Sequence, residues 1–134
     1  MTTVRKIAFA YAAILLVVAG LNYIPGLTDA EGRAFGIFAL DIYDDLLHLA
    51  SALWAGIAAF ASGRAARSFL LYFGILYLAD GLLGLATGSG YLDLGIITYG
   101  IQDLPLGFKI LANLPHITLG GLAVVSAFVF RREA

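Results

Sequence analysis

The chain has 134 residues, no cysteine, 61% hydrophobic and 13% charged residues, and a formal net charge of −1. Soluble domains run at roughly 45–50% apolar and about 25% charged. This composition therefore excludes a disordered chain, a nucleic-acid-binding protein and a disulfide-stapled secreted module, and it argues against a soluble globular enzyme. What remains is a single-domain integral membrane protein whose first partner is the lipid bilayer.

A hydrocarbon core of about 30 Å needs roughly 20 helical residues. Four apolar stretches meet that length, and they predict an all-α, four-transmembrane-helix bundle. The first runs over about Ile7–Ile24 and is stopped by Pro25-Gly26. The second covers about Ile42–Ala61 and ends at Ser62-Gly63. The third covers about Phe69–Ala86 and ends at Gly88-Ser89-Gly90. The fourth covers about Ile110–Phe130. Outer loops occupy residues 25–41 and 87–109. The second loop is itself apolar at Leu94-Gly95-Ile96-Ile97, which suits an interfacial short helix or a structured cap over the outer mouth.

Basic residues set the orientation. Arg5, Lys6, Arg64, Arg67, Arg131 and Arg132 fall on one side of a four-pass chain, and Arg33 and Lys109 on the other. Both termini are thus expected to be cytoplasmic, in a bacterial inner membrane. Asp29, Glu31, Asp41, Asp93 and Asp103 make the outer face acidic. Arg5-Lys6 before an apolar run resembles the start of a signal peptide. An internal repeat argues that the segment is retained. Tyr11, Ile14-Leu15 and Gly20-Leu21 align with Tyr72, Ile75-Leu76 and Gly81-Leu82 at one offset. His48 and Ala59-Phe60 align with His116 and Ala127-Phe128 at a second. Each unit crosses twice, so the two repeats are parallel, related by an axis along the membrane normal.

Ionisable groups within membrane spans are costly and point to function. His48, Asp80 and His116 each lie roughly 9–10 Å below the outer boundary, at 1.5 Å per residue. Asp44 and Asp45 precede His48 on its helical face, and Asn113 precedes His116. Carboxylate–histidine pairs projecting from facing helices build metal sites in bundles. His48 and His116 are therefore candidate ligands for a transition-metal ion, with Asp80, Asp45 and Asp44 as carboxylate partners. Two histidines on pseudo-symmetric, diagonal helices also suit bis-axial ligation of haem b. The rival reading is a structural or accessory subunit of a larger membrane complex, or of a homo-oligomer. There the same groups only hydrogen-bond helices, and Asp44, Asp45 and Asn113 are helix-start residues. Behind an Asn113 cap, Pro115 is expected to sit in the first turn of its helix. Tyr77, one turn below Asp80, is placed for a Tyr–Asp contact. No Ser-His-Asp pattern, phosphate loop or cysteine site is present, so the chain reads as a binding protein and not an enzyme. A transporter component ranks third, because four short helices make a thin pathway.

Leu46-Leu47-His48-Leu49 and Asn113-Leu114-Pro115-His116 resemble segments of a bacterial family of small four-helix membrane proteins, filed as a domain of unknown function. Members carry an Asn-Leu-x-His-Leu segment in the second helix and an Asn-x-x-His segment in the fourth. Ala65-Ala66-Arg67-Ser68-Phe69 and Gly74-Ile75-Leu76-Tyr77 resemble its basic loop and third helix. The resemblance runs from about Phe35 to Val129. The chain departs from it at Asp45, in place of Asn, and at Pro115. It implies a fold and a location, not an activity.

Overall fold

The computed structural model describes residues 1–38 and 41–133. Among them the fold is all-helical: α1 (Thr3–Gly20), α2 (Ile42–Ala61), α3 (Gly63–Thr87), the short α4 (Gly95–Tyr99) and α5 (Leu106–Val129). A single 3₁₀ turn, Leu21–Tyr23, extends α1. α1, α3 and α5 are long and apolar enough to cross a membrane. α2 is 20 residues long, but Asp44, Asp45 and His48 in its first two turns dilute its hydropathy. Large apolar side chains such as Leu16, Ile57, Phe60, Leu122 and Phe128 cover the exterior of the long helices. Water would penalise so wide an apolar surface, whereas lipid does not.

The apolar runs locate the helices, but several boundaries differ: α1 begins at Thr3 and ends at Gly20, each four residues before its apolar stretch. α3 begins at Gly63 and α5 at Leu106, earlier than the apolar stretches. Charged residues such as Arg64, Arg67 and Lys109 continue a helix as readily as apolar ones. Ser62 caps α3, its hydroxyl accepting from the Ala65 N–H at 3.0 Å. Asp41 caps α2 reciprocally with Asp44: each carboxylate accepts from the other's backbone N–H, at 3.1 and 3.2 Å. Asn113 is not a cap, because α5 starts seven residues before it. Pro115 therefore lies inside the helix, where its missing N–H leaves the Leu111 carbonyl without its regular donor. The second long loop does contain a short helix, α4.

Packing is organised in two close pairs, α1 with α2 and α3 with α5. α3 also contacts α1 and α2, while α1 and α5 meet sparsely. α3 supplies the centre of the core: Phe69, Phe73 and Tyr77 stack at helical spacing, with ring centroids 4.9 and 4.0 Å apart. Leu15, Val4 and Ala8 of α1 and Ala55, Ala59 of α2 close around them. One contact recurs in both pairs. Arg5 Nε of α1 donates to the Ala59 carbonyl at 2.6 Å, near the end of α2. Arg67 Nε of α3 donates to the Ala127 carbonyl at 2.8 Å, near the end of α5. A cation at a helix C-terminus satisfies free carbonyls and complements the helix dipole.

α3 and α5 touch backbone to backbone. A Cβ added at Gly74 would stand 2.7 Å from the Gly120 carbonyl oxygen, and one at Gly120 would stand 2.5 Å from the Leu78 nitrogen. Small residues of this kind let membrane helices gain dispersion and weak hydrogen bonds at short range. Gly74→Ala or Gly120→Ala is expected to destabilise the detergent-solubilised protein by about 1–3 kcal/mol through overpacking. Gly121→Ala, where a new Cβ meets nothing within 4 Å, is the control and should leave the unfolding midpoint unchanged or slightly raised.

Candidate functional site

The site lies at the end of the long helices that carries the two longer loops. Asp80 is its anchor. The residue is 4% exposed, on the last third of α3, and a carboxylate so withdrawn from water needs full hydrogen bonding. One oxygen, Oδ1, accepts the backbone N–H groups of Tyr91 and Leu92 at 2.8 and 2.9 Å. The other, Oδ2, accepts Nδ1–H of His116 at 2.5 Å. A single side chain thus ties the loop after α3 to α5. The chain can return over Asp80 because α3 stops at Gly88, in the left-handed conformation (φ 81°), and because Gly90 has no Cβ to strike the carboxylate.

That bond also fixes the His116 tautomer. With Nδ1 protonated toward a carboxylate, Nε2 is left as the free ring nitrogen, the arrangement found behind ligating and proton-accepting histidines. His48 faces it from α2, with ring centroids 5.9 Å apart. α2 and α5 do not pack closely, so the two imidazoles meet across a space and not within a helix interface. His48 is 4% exposed, and its Nδ1 has no hydrogen-bond partner. An unpaired buried polar atom costs about 1–3 kcal/mol, which a ligand would recover.

Two cavities meet at the pair. One, of about 110 Å³, is almost wholly apolar and runs between Leu15, Val18 and Leu21 on the α1 side and Ala112, Pro115 and Leu119 on α5. His48, Tyr77 and His116 form its inner end. The other, of about 350 Å³, is polar and is lined by Arg33, Asp44, Asp93, Gln102 and Lys109 among others. His48 and His116 line both. Tyr99 of α4 donates to Asp41 at 3.3 Å on the rim, and the Asp41 carboxylate pushes that phenol above its ordinary range.

The expected carboxylates are distributed differently. Asp80 joins His116, but Asp44 is engaged with the α2 start and lies beside Asp93 in the polar cavity. Asp45 accepts the Tyr23 hydroxyl at 2.9 Å on Oδ2, leaving Oδ1 buried without a partner. Among the described residues no three His, Cys, Asp or Glu side chains converge as a metal-ligand set. Tyr77 makes its hydrogen bond with Ser51, at 2.8 Å, and not with Asp80, while its ring lies 4.9 Å from that of His116. Ser51 and the Tyr91 and Leu92 amides escaped the sequence reading. Ser51 stands three residues after His48, on its face, and that spacing was the available signal. The loop amides left none.

A pair of facing imidazoles, His48 buried and His116 half-buried and oriented by a carboxylate, defines a polar binding site within a largely apolar helical protein. No family model, curated protein or solved structure matches the chain.

Asp80→Ala is expected to cost about 3 kcal/mol, because it leaves the two loop amides and the His116 Nδ1–H without their acceptor. Asp80→Asn, which keeps an acceptor for the loop amides, should cost less. Thermal unfolding reads the stability, and amide exchange at Tyr91 and Leu92 reads the loop. If those two amides stay equally protected in Asp80→Ala, the latch does not operate.

Proposed function

We propose that this chain is a binding protein of the membrane that holds a small ligand between His48 and His116. The carrying observation is the buried, partnerless Nδ1 of His48, set across from a His116 ring already fixed by Asp80. The surrounding architecture in this reading is a four-helix bundle of two parallel repeats, with both termini cytoplasmic in a bacterial inner membrane. Its support is the matched Arg5–Ala59 and Arg67–Ala127 contacts, the facing histidines, and the six basic residues gathered at the end opposite the site. The likeness to small four-helix membrane proteins of unknown function belongs to the same proposal.

A transition-metal ion held by the two imidazoles takes its further ligands from solvent or from a co-bound molecule, since zinc and its neighbours ask for about four. Haem b asks for more room than the apolar cavity of about 110 Å³ and would have to occupy the adjoining one of about 350 Å³ as well. The second reading, a structural or accessory subunit, rests on Asp80, whose two oxygens are both spent on holding the loop and α5.

The test is to purify wild type, His48→Ala and His116→Ala in mild detergent. Elemental analysis, the visible spectrum and native mass spectrometry then give bound species per chain. Wild type should carry a ligand, and each variant should lose at least tenfold in occupancy while staying helical by circular dichroism. Full occupancy in both variants, or none in adequately supplied wild type, overturns the binding reading. A co-purifying partner chain with no ligand favours the structural one.

A further inference from the structure

We propose that the ligand of the His48–His116 pair is a membrane-dissolved amphipath with one planar six-membered ring carrying hydrogen-bonding oxygens, a quinol or quinone head, which enters sideways between α1 and α5 and leaves its tail in lipid. The proposal rests on the binding reading above and names the ligand class for it.

Size selects a single ring. A cavity of about 110 Å³ is on the scale of the roughly 150 Å³ engineered cavity that accepts benzene. It falls well below the roughly 300 Å³ at which ordinary drug-sized pockets begin, and the adjoining cavity of about 350 Å³, lined by Arg33, Asp44, Asp93 and Lys109, does not suit an apolar ring. Position selects a ligand from the bilayer. The walls between α1 and α5 are apolar, and the polar atoms of the cavity are gathered at its inner end, on His48, Tyr77 and His116. α1–α2 and α3–α5 are sealed by close packing, whereas α1 and α5 meet sparsely, so that seam is the side opening. The Tyr11 hydroxyl donates to the Leu119 carbonyl at 2.5 Å and closes the seam beyond the cavity. The opening is thus placed at the Val18–Leu21 level, beyond the buried Leu15.

Chemistry selects oxygen on the ring. His116 has committed Nδ1–H to Asp80, so its other nitrogen accepts a hydrogen bond. His48, with an unpartnered Nδ1, brings one donor and one acceptor on its two nitrogens. A hydroxyl satisfies the acceptor and a carbonyl satisfies the donor. Tyr77, its ring 4.9 Å from that of His116, adds an aromatic surface beside the head group. A bare hydrocarbon would leave His48 unpaired, and a simple alcohol would leave the aromatic end unfilled.

The test uses the full chain in nanodiscs of synthetic, quinone-free phosphatidylcholine. Tritiated decyl-benzoquinol and decyl-benzoquinone are the probes, with unlabelled dodecanol (no ring) and decylbenzene (no oxygen) as competitors. Saturable binding of one probe per chain is expected, with both competitors at least tenfold weaker. His48→Ala should weaken binding at least tenfold. Val18→Trp, at the seam, and Ala112→Phe, from the opposite wall, should abolish it, and Leu53→Trp on an exposed face of α2 should not. Equal competition by dodecanol, or full binding by both filled variants, overturns the assignment. If the probes fail while wild type retains another His48-dependent ligand, the ring assignment falls and the binding reading stands. If wild type retains nothing and binds no probe, both fall.

Discussion

The carboxylate of Asp80 is the constraint around which the rest of the site is arranged. A buried charge must be surrounded by donors, and this one finds three on two different elements. Meeting that demand pulls the loop back over the end of α3 and turns the His116 ring. The ring orientation then decides which nitrogen faces His48. Loop conformation, tautomer and cavity shape all follow from solvating one buried oxygen pair. Gly88 and Gly90 are the local concessions that let the backbone come close enough to do so.

Much of this was legible in the sequence, and the parts that were not share a cause. Long apolar runs give the helices because lipid-facing and core-facing positions are both apolar, and α2 ends where the run ends. The starts of α3 and α5 are not legible that way, since helix propensity outlasts hydrophobicity. His48, His116 and Asp80 stood out as costly groups at one depth. The use made of Asp80 was only half visible: a histidine partner can be inferred from depth, but backbone amides eleven and twelve residues on carry no side-chain signature. Asp44 and Asp45 have competing partners. Their spacing to His48 is right for a shared face, but capping at Asp41 and the Tyr23 hydroxyl make nearer claims on them. Pro115 reads as a helix-start residue by propensity, and packing against α3 carries the helix through it.

The sequence matches between the two halves of the chain agree with the contacts in some places and not in others. Arg5 and Arg67 make the same contact to matched alanines, and the two histidines face one another. Tyr11 and Tyr72, which align in sequence, live in different surroundings: Tyr11 is buried and bonded to α5, whereas Tyr72 is exposed. The divergence falls on α3, which sits at the centre of the core while α1 sits at its edge. A helix at the centre of the core must meet its neighbours by close packing. The glycines at 74, 81 and 84 are where α3 has done so.

The Gly74–Gly120 approach has a mechanical meaning. With the α3 and α5 backbones already at contact distance, that pair forms a fixed wall, and neither helix can withdraw or advance without losing the whole interface. Any adjustment of the space between the histidines must therefore come from the other side, from α1 and the residues it turns toward α5. Changes in the bulk of Val18 and Leu21, which line the apolar cavity, act on that space directly, whereas equivalent changes on α5 disturb the wall first. The fold separates a rigid half from an adaptable half, and variation in what the chain accommodates is accordingly expected to accumulate on its first helix.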